Sequence, residues 1–196
     1  SGAEVRLEVS TDQQREAIAS AIGNAQRIGL EANSVTWSDQ QRYANDWFPG
    51  RELVATSGVL ERLRFGKDAG EIARIRAGAH LADQVLGDVM GAFPPGATER
   101  ELQWMLDDQM RGLGSEAPAF PTIVASGPNA SLPHHRPTDR VIREGDLLLI
   151  DFGGTIDGYR SDVSRTFMIG DVSEEARAMF DLVFDAQQAG VAAIRD

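Results

Sequence analysis

The chain has 196 residues, 42% of them hydrophobic and 25% charged, a balance that fits a globular protein of one or two domains and excludes a disordered one. Nineteen Lys plus Arg against thirty Asp plus Glu give a net charge of -11, which repels phosphate backbones and anionic lipid, so neither nucleic acid nor membrane is expected as a partner. The absence of cysteine excludes disulfides, thiolate metal sites and cysteine nucleophiles, leaving Asp, Glu and His as the strong metal ligands.

In chain order, the opening Ser1-Gly2-Ala3-Glu4-Val5-Arg6 lacks the apolar core of a secretion signal, and no apolar run approaches the roughly 20 residues that cross a bilayer; a cytoplasmic protein is expected. Ser10 with Gln13 three residues on reads as a capping box, followed by Ile18, Ala21, Ile22 and Ala25 at helical spacing and a stop at Gly29. Ser34-Val35-Thr36-Trp37 reads as a short strand, Ser38 as the cap of a short helix carrying Tyr43 and Trp47, and Phe48-Pro49-Gly50 as its break. Leu53-Val54-Ala55 is expected to be extended, and Ser57-Gly58 to turn the chain toward a domain boundary near Arg62–Lys67.

Asp68 to Glu71 forms a second capping box, after which Ile72, Ile75, Ala79, Ala82 and Leu86, with Val89 or Met90, sustain one apolar face for about five helical turns, until Phe93-Pro94-Pro95-Gly96. Thr98-Glu99-Arg100-Glu101 caps a third helix with Leu102, Met105 and Leu106 inward and Gly112 and Gly114 at its end. A strand over Thr122–Ala125 leads into a turn-rich loop, Ser126–Pro137. Leu147-Leu148-Leu149-Ile150 is continuously apolar, as a strand covered on both faces would be, and a last helix runs from a Ser173 cap through Met179, Phe180, Val183 and Phe184.

The chemistry concentrates between Asp151 and Phe167, where a buried strand enters a glycine-bearing turn and a second strand returns, the pattern of an antiparallel hairpin. With Ile156 and Asp157 at the tip, opposed residues have numbers summing to 313 and Asp151 faces Asp162. With Asp157-Gly158 as the turn the sum is 315 and the two are diagonal neighbours on one face. Opposed Cβ atoms lie about 4.5 to 5.5 Å apart and diagonal ones about 7 to 8 Å, so either register suits two carboxylates sharing a metal centre. A bulge at Gly153-Gly154 would spoil this parity. Two like charges on a covered sheet face call for a proton or a cation between them, and hard carboxylate oxygens suit Mn, Mg or Co. The plainer reading has one Asp capping a turn and the other facing solvent.

His134 and His135 stand in the loop before this hairpin, where a His can reach over the face that carries Asp151 and take part in proton transfer near neutral pH. The bland reading for either is a solvated loop His. His80, on the long helix, reads as a partly buried helical His without a role.

At these residues the sequence resembles the pita-bread metallopeptidases, in particular Xaa-Pro aminopeptidases and Xaa-Pro dipeptidases (prolidases). Arg62–Ile72 resembles the entry to the catalytic domain, Ser126-Gly127-Pro128-Asn129 through Pro133-His134 the substrate-side histidine loop, and Asp151–Phe167 the first metal-ligand hairpin. The resemblance implies an α+β pita-bread (creatinase/aminopeptidase) fold, first half only, over residues 61–196, preceded by part of a small α/β N-terminal domain over residues 1–60. It further implies two divalent metal ions, with Mn favoured and Co, Zn or Mg as alternatives. Asp151 would bind one ion and Asp162 bridge both, while Ser164, where the family usually has Thr, would hold a carboxylate or a metal-bound water. His134 would act on the substrate at the scissile carbonyl, with His135 a looser substrate-side neighbour. The implied reaction is metal-assisted hydrolysis of the peptide bond before proline in a small peptide with proline at the second position, by a homodimer.

The family's centre also requires a His and two Glu from the second half of the domain, and the chain stops at Asp196 without them. Glu174 and Glu175 match no ligand motif and read as charges complementing a helix dipole. The chain is therefore expected to be a piece of a longer polypeptide and inactive alone. The alternatives are a non-catalytic binding or assembly module on the same fold and a creatinase-like hydrolase working without metal; retention of both Asp argues against the latter. The Gly158–Asp162 wording favours the proline-directed branch over methionine aminopeptidases.

Overall fold

The computed structural model describes residues 10–194. The opening Ser1–Arg6 segment, read above for a targeting signal, lies outside the described residues. The chain divides into two compact units, one through Asp68 and one from Ala69 onward.

In the first unit, helix α1 (Thr11–Ile22) starts at the expected capping box: Ser10 Oγ accepts from the Gln13 amide at 3.3 Å, and the Ser10 amide donates to Gln13 Oε1 at 3.1 Å. The helix stops at Gly23 (φ 56°), six residues before the Gly29 of the sequence reading. Gly29 instead lies inside strand β1 (Arg27–Glu31), which pairs in parallel with β2 (Glu52–Thr56). A Cβ on Gly29 would come within 2.9 Å of Thr56 Cγ2, so close packing of the pair, not helix termination, requires glycine there. Ser34–Trp37 is likewise not a strand. The β-branched Thr36 serves as N-cap of α2 (Trp37–Arg42), accepting from the Asp39 amide at 3.2 Å, so the cap is Thr36 rather than Ser38. A π-helical turn over Tyr43–Trp47 continues α2 and ends at buried Phe48, where Tyr43, Trp47 and Phe48 form a ring cluster with centroids 5.0 to 6.2 Å apart. Helix α3 (Val59–Phe65) follows a left-handed Gly58.

The second unit is built on two helices and a sheet. Helix α4 (Ala69–Ala92) buries Ala82, Val85, Leu86 and Val89, while Ile72, assigned above to the apolar face, is 44% exposed, because that face becomes covered only in the later turns. Helix α5 (Glu99–Gly112) begins with the Thr98–Glu101 capping box and buries Leu102, Leu106 and Met110. Strands β3 (Ile123–Ser126), β4 (Leu147–Phe152) and β7 (Val163–Met168) form an antiparallel sheet in the order β3-β4-β7. Leu148, Ile150 and Phe152 point from β4 into the helical layer and are 0 to 1% exposed. Burying side chains of this size contributes roughly 1.5 to 3 kcal/mol each. The opposite face of β4, with Leu147, Leu149 and Asp151, is only half buried, so the apolar run is not equally covered on both sides. That face runs along helix α6 (Glu174–Ala193), which starts at Ser173 as expected and has no buried residue among its own.

Beyond β4 the chain continues through Gly153-Gly154 into a hairpin of β5 (Thr155–Ile156) and β6 (Tyr159–Arg160). No helix among the described residues is long and apolar enough to cross a membrane.

Candidate active site

The position of the two carboxylates follows from the turn. Asp157 (φ 48°) and Gly158 (φ 78°) both adopt the left-handed backbone that a two-residue hairpin turn demands. The pairs Thr155↔Arg160 and Ile156↔Tyr159 around the turn, and Phe152↔Val163 and Asp151↔Ser164 further down, all sum to 315, so the break in the ladder at Gly153-Gly154 adds no net residue to either arm. Glycine at 153 is sterically required, since a Cβ would collide with the Ser161 carbonyl oxygen of the returning chain. Ser161 fastens the crossing: its hydroxyl accepts from the Gly154 amide at 3.0 Å and packs where Gly78 of α4 leaves room.

In this register Asp151 faces Ser164, and Asp162, just before β7, lies close enough to interact with Asp151. Ser164 Oγ donates to Asp151 Oδ1 at 2.6 Å, which fixes the carboxylate's orientation. The Asp162 carboxyl is raised above its ordinary pKa by loss of hydration, by the negative charge of Asp151 and by a hydrogen bond with Asp151. Because Asp162 as a whole residue stays exposed, the neighbouring carboxylate is the more telling of these causes. A hard divalent cation would relieve the same repulsion, so this donor pair fits such an ion in charge and in ligand type. No group of three or more His, Asp or Glu that could hold a metal occurs among the described residues, so the two aspartates stand as a pair.

The histidines diverge. His134 is exposed, whereas the side chain of its neighbour His135 turns inward, 8% exposed, with Nε2 2.9 Å from Glu99 Oε2. His80 is exposed on α4, not partly buried. In the sequence Glu99 is only one residue of the Thr98–Glu101 cap segment. It is completely buried, and desolvation pushes its pKa up, but hydrogen bonds from Asn129, His135, Thr138 and Ser126 outweigh that and hold it at about 2. A clue was present: the capping box uses Glu101, leaving Glu99 without a role in the cap.

The structure thus carries two neighbouring hairpin carboxylates and, in the chain segment between β3 and β4, a loop with an exposed histidine. Comparison with known proteins gives the class to which such a chain belongs. Residues 73–196 match the metallopeptidase family M24, and residues 2–65 match the Creatinase/Prolidase N-terminal domain. The chain belongs to metallopeptidase family M24. It is 36% identical over 169 residues to the uncharacterized peptidase YqhT of Bacillus subtilis, covering 86% of this chain and 48% of that protein. It is 30% identical over 192 residues to a Xaa-Pro dipeptidase of Pyrococcus furiosus, covering 98% and 55%. Among solved structures, a Xaa-Pro dipeptidase from Bacillus anthracis superposes with a TM-score of 0.86 at 31% identity, covering 92% of this chain and 51% of that one. An X-Pro aminopeptidase from Thermotoga maritima gives 0.81 at 31% identity, with coverage of 94% and 52%. The chain thus spans about half the length of these relatives, and its fold is the first half of the pita-bread fold preceded by part of the small N-terminal domain.

Proposed function

We propose that this chain contributes Asp151, Asp162 and His134 to the centre of a metal-dependent peptidase that hydrolyses the peptide bond before proline. The observation that supports the reading is the hairpin register that pairs Asp151 with Ser164, two residues after Asp162, with Ser164 bonded to the first aspartate and the two carboxylates close enough to interact. Asp151 and Asp162 would hold two divalent ions, Mn foremost, together with ligands from outside these residues. When bound, the metal supplies Lewis-acid polarisation of the scissile carbonyl and an activated water. Ser164 keeps Asp151 in a fixed rotamer by its hydrogen bond, and His134, exposed on its loop, donates a hydrogen bond to the oxygen on which charge develops. His135, committed to Glu99, supports this loop instead of contacting substrate. The dipeptidase and aminopeptidase relatives support a small peptide with proline at its second position as substrate. A cytoplasmic homodimer completes the reading.

The test uses the parent full-length polypeptide. Titration with Mn should saturate at two equivalents, and Asp151→Ala or Asp162→Ala should lower uptake and reduce Xaa-Pro hydrolysis on the order of 100-fold or more. Wild-type metal uptake by both variants, or equal cleavage of Xaa-Pro and Xaa-Ala peptides, would contradict the assignment.

A further inference from the structure

Glu99 is the most heavily bonded side chain of the site region. Its Oε1 accepts from the Ser126 amide and hydroxyl, both at 2.8 Å, and from Asn129 Nδ2 at 3.0 Å. Its Oε2 accepts from the Thr138 hydroxyl at 2.7 Å and amide at 3.1 Å, and lies 2.9 Å from His135 Nε2. These partners are 27 to 39 residues away in sequence, so one carboxylate at the start of α5 gathers both ends and the middle of the loop that carries His134. An ionised carboxylate only accepts, so Nε2 of His135 must carry a proton and its ring orientation is fixed. The carboxylate's burial is tolerable because its lone pairs are filled by these donors.

A second clamp closes the loop from the other side. Arg140 donates to Ser126 Oγ at 2.6 Å and to both oxygens of Asp146, at 2.6 and 2.8 Å. Asp146 also accepts from the Arg143 amide at 2.9 Å. Gly127, at φ 50°, sits where a Cβ would collide with Asp146 and Arg140, so the backbone passes through a slot only glycine can use.

We infer that Glu99 is a positioning residue for His134: through His135, Asn129, Ser126 and Thr138 it sets the conformation in which the loop presents its exposed histidine to substrate. What His134 does there rests on the peptidase reading above; the loop-holding role of Glu99 does not.

The experiment compares Glu99→Gln and Thr138→Val with wild type in the parent full-length polypeptide, loaded with Mn. Glutamine keeps the shape but turns an acceptor toward the surrounding donors into a donor. Amide hydrogen exchange over residues 126–138 should accelerate about tenfold or more, with β4 and β7 amides unchanged. The 15N shift of His135 Nε2, whose proton points at Glu99, should change. Hydrolysis of an Xaa-Pro dipeptide should fall about tenfold or more in kcat, while Mn uptake stays within about twofold. Thr138→Val, at the exposed rim, should give a smaller change in the same measurements and carries the test should Glu99→Gln fail to fold. Unchanged loop exchange and an unchanged His135 signature would overturn the inference, as would equal loss of protection across β4 and β7, which would make Glu99 an ordinary core residue. A wild-type protein that cleaves no Xaa-Pro peptide sinks the peptidase reading, while the exchange and 15N measurements still decide the role of Glu99.

Discussion

A carboxylate held at a pKa of about 2, against an ordinary 4.5, is a store of pH-dependent stability. The folded-state value is depressed, so the contribution of Glu99 is fully present above about pH 4.5 and drains away as the pH falls toward 2 and the folded carboxylate takes up a proton. A shift of this size corresponds to roughly 3 kcal/mol at neutral pH. Urea unfolding of wild type and Glu99→Gln should therefore show a stability gap that is widest near pH 7 and narrows steadily from pH 4.5 to pH 2.5; a gap independent of pH would mean that the ionised form is not what the loop requires. Glu99 was illegible in the sequence for a physical reason. Its partners come from β3, the following 3-10 turn and the histidine loop, none of which is local to α5, and only the closed tertiary structure brings their donors to one point. Ser164 entered only through the family resemblance; the register that sets it opposite Asp151 is one of the two that the sequence leaves open, and only the structure shows the bond across that rung.

Elements whose signals are local came through well. The capping boxes at Ser10 and Thr98 and the Ser173 cap each rest on side-chain and backbone groups within a few residues, and all are present, while of the two hairpin tips that the sequence leaves open the structure has Asp157-Gly158. The misreadings occurred where one residue type serves two purposes. Val35-Thr36 has strand-like β-branching, but the Thr36 hydroxyl is worth more as a cap, and Gly29 looks like a helix stop but is the small residue that lets Thr56 approach. The hairpin depends on a comparable small residue. Replacing Gly153 with Ala forces a methyl group into the Ser161 carbonyl and must displace the crossing chain, where Gly154 and Ser161 bond. A loss of about 3 kcal/mol or more in unfolding free energy is expected and, on the proposed metal-site reading, reduced Mn uptake by the parent polypeptide, because Asp151 and Asp162 flank the distorted crossing. Wild-type stability in Gly153→Ala would show that the two strands separate more easily than their register implies.

For the molecule as a whole, the uneven covering of the second unit matters most. One face of the β3-β4-β7 sheet is packed on α4 and α5, while α6 leaves Met179 55%, Leu182 65%, Val183 59% and Phe184 53% exposed. Clusters of large apolar side chains at this exposure are unusual on a self-sufficient surface. The 196-residue chain expressed by itself should bind a hydrophobic dye such as ANS strongly and sediment with a concentration-dependent average mass, and Leu182→Glu with Phe184→Glu should diminish both; a monodisperse, dye-silent chain would count against it. Chain length, finally, is not equally adjustable everywhere. Sequence drift can lengthen the Asp157-Gly158 tip, which absorbs an extra residue as a longer turn without re-pairing the strands, but the paired arms count in twos. A single codon inserted between Asp162 and Val163 would leave Ser164 opposite Asp151 and swing Asp162 to the other side, whereas a double insertion would leave the alternation intact. Evolutionary gaps within the arms should therefore come in even sizes, and gaps at the tip in any size.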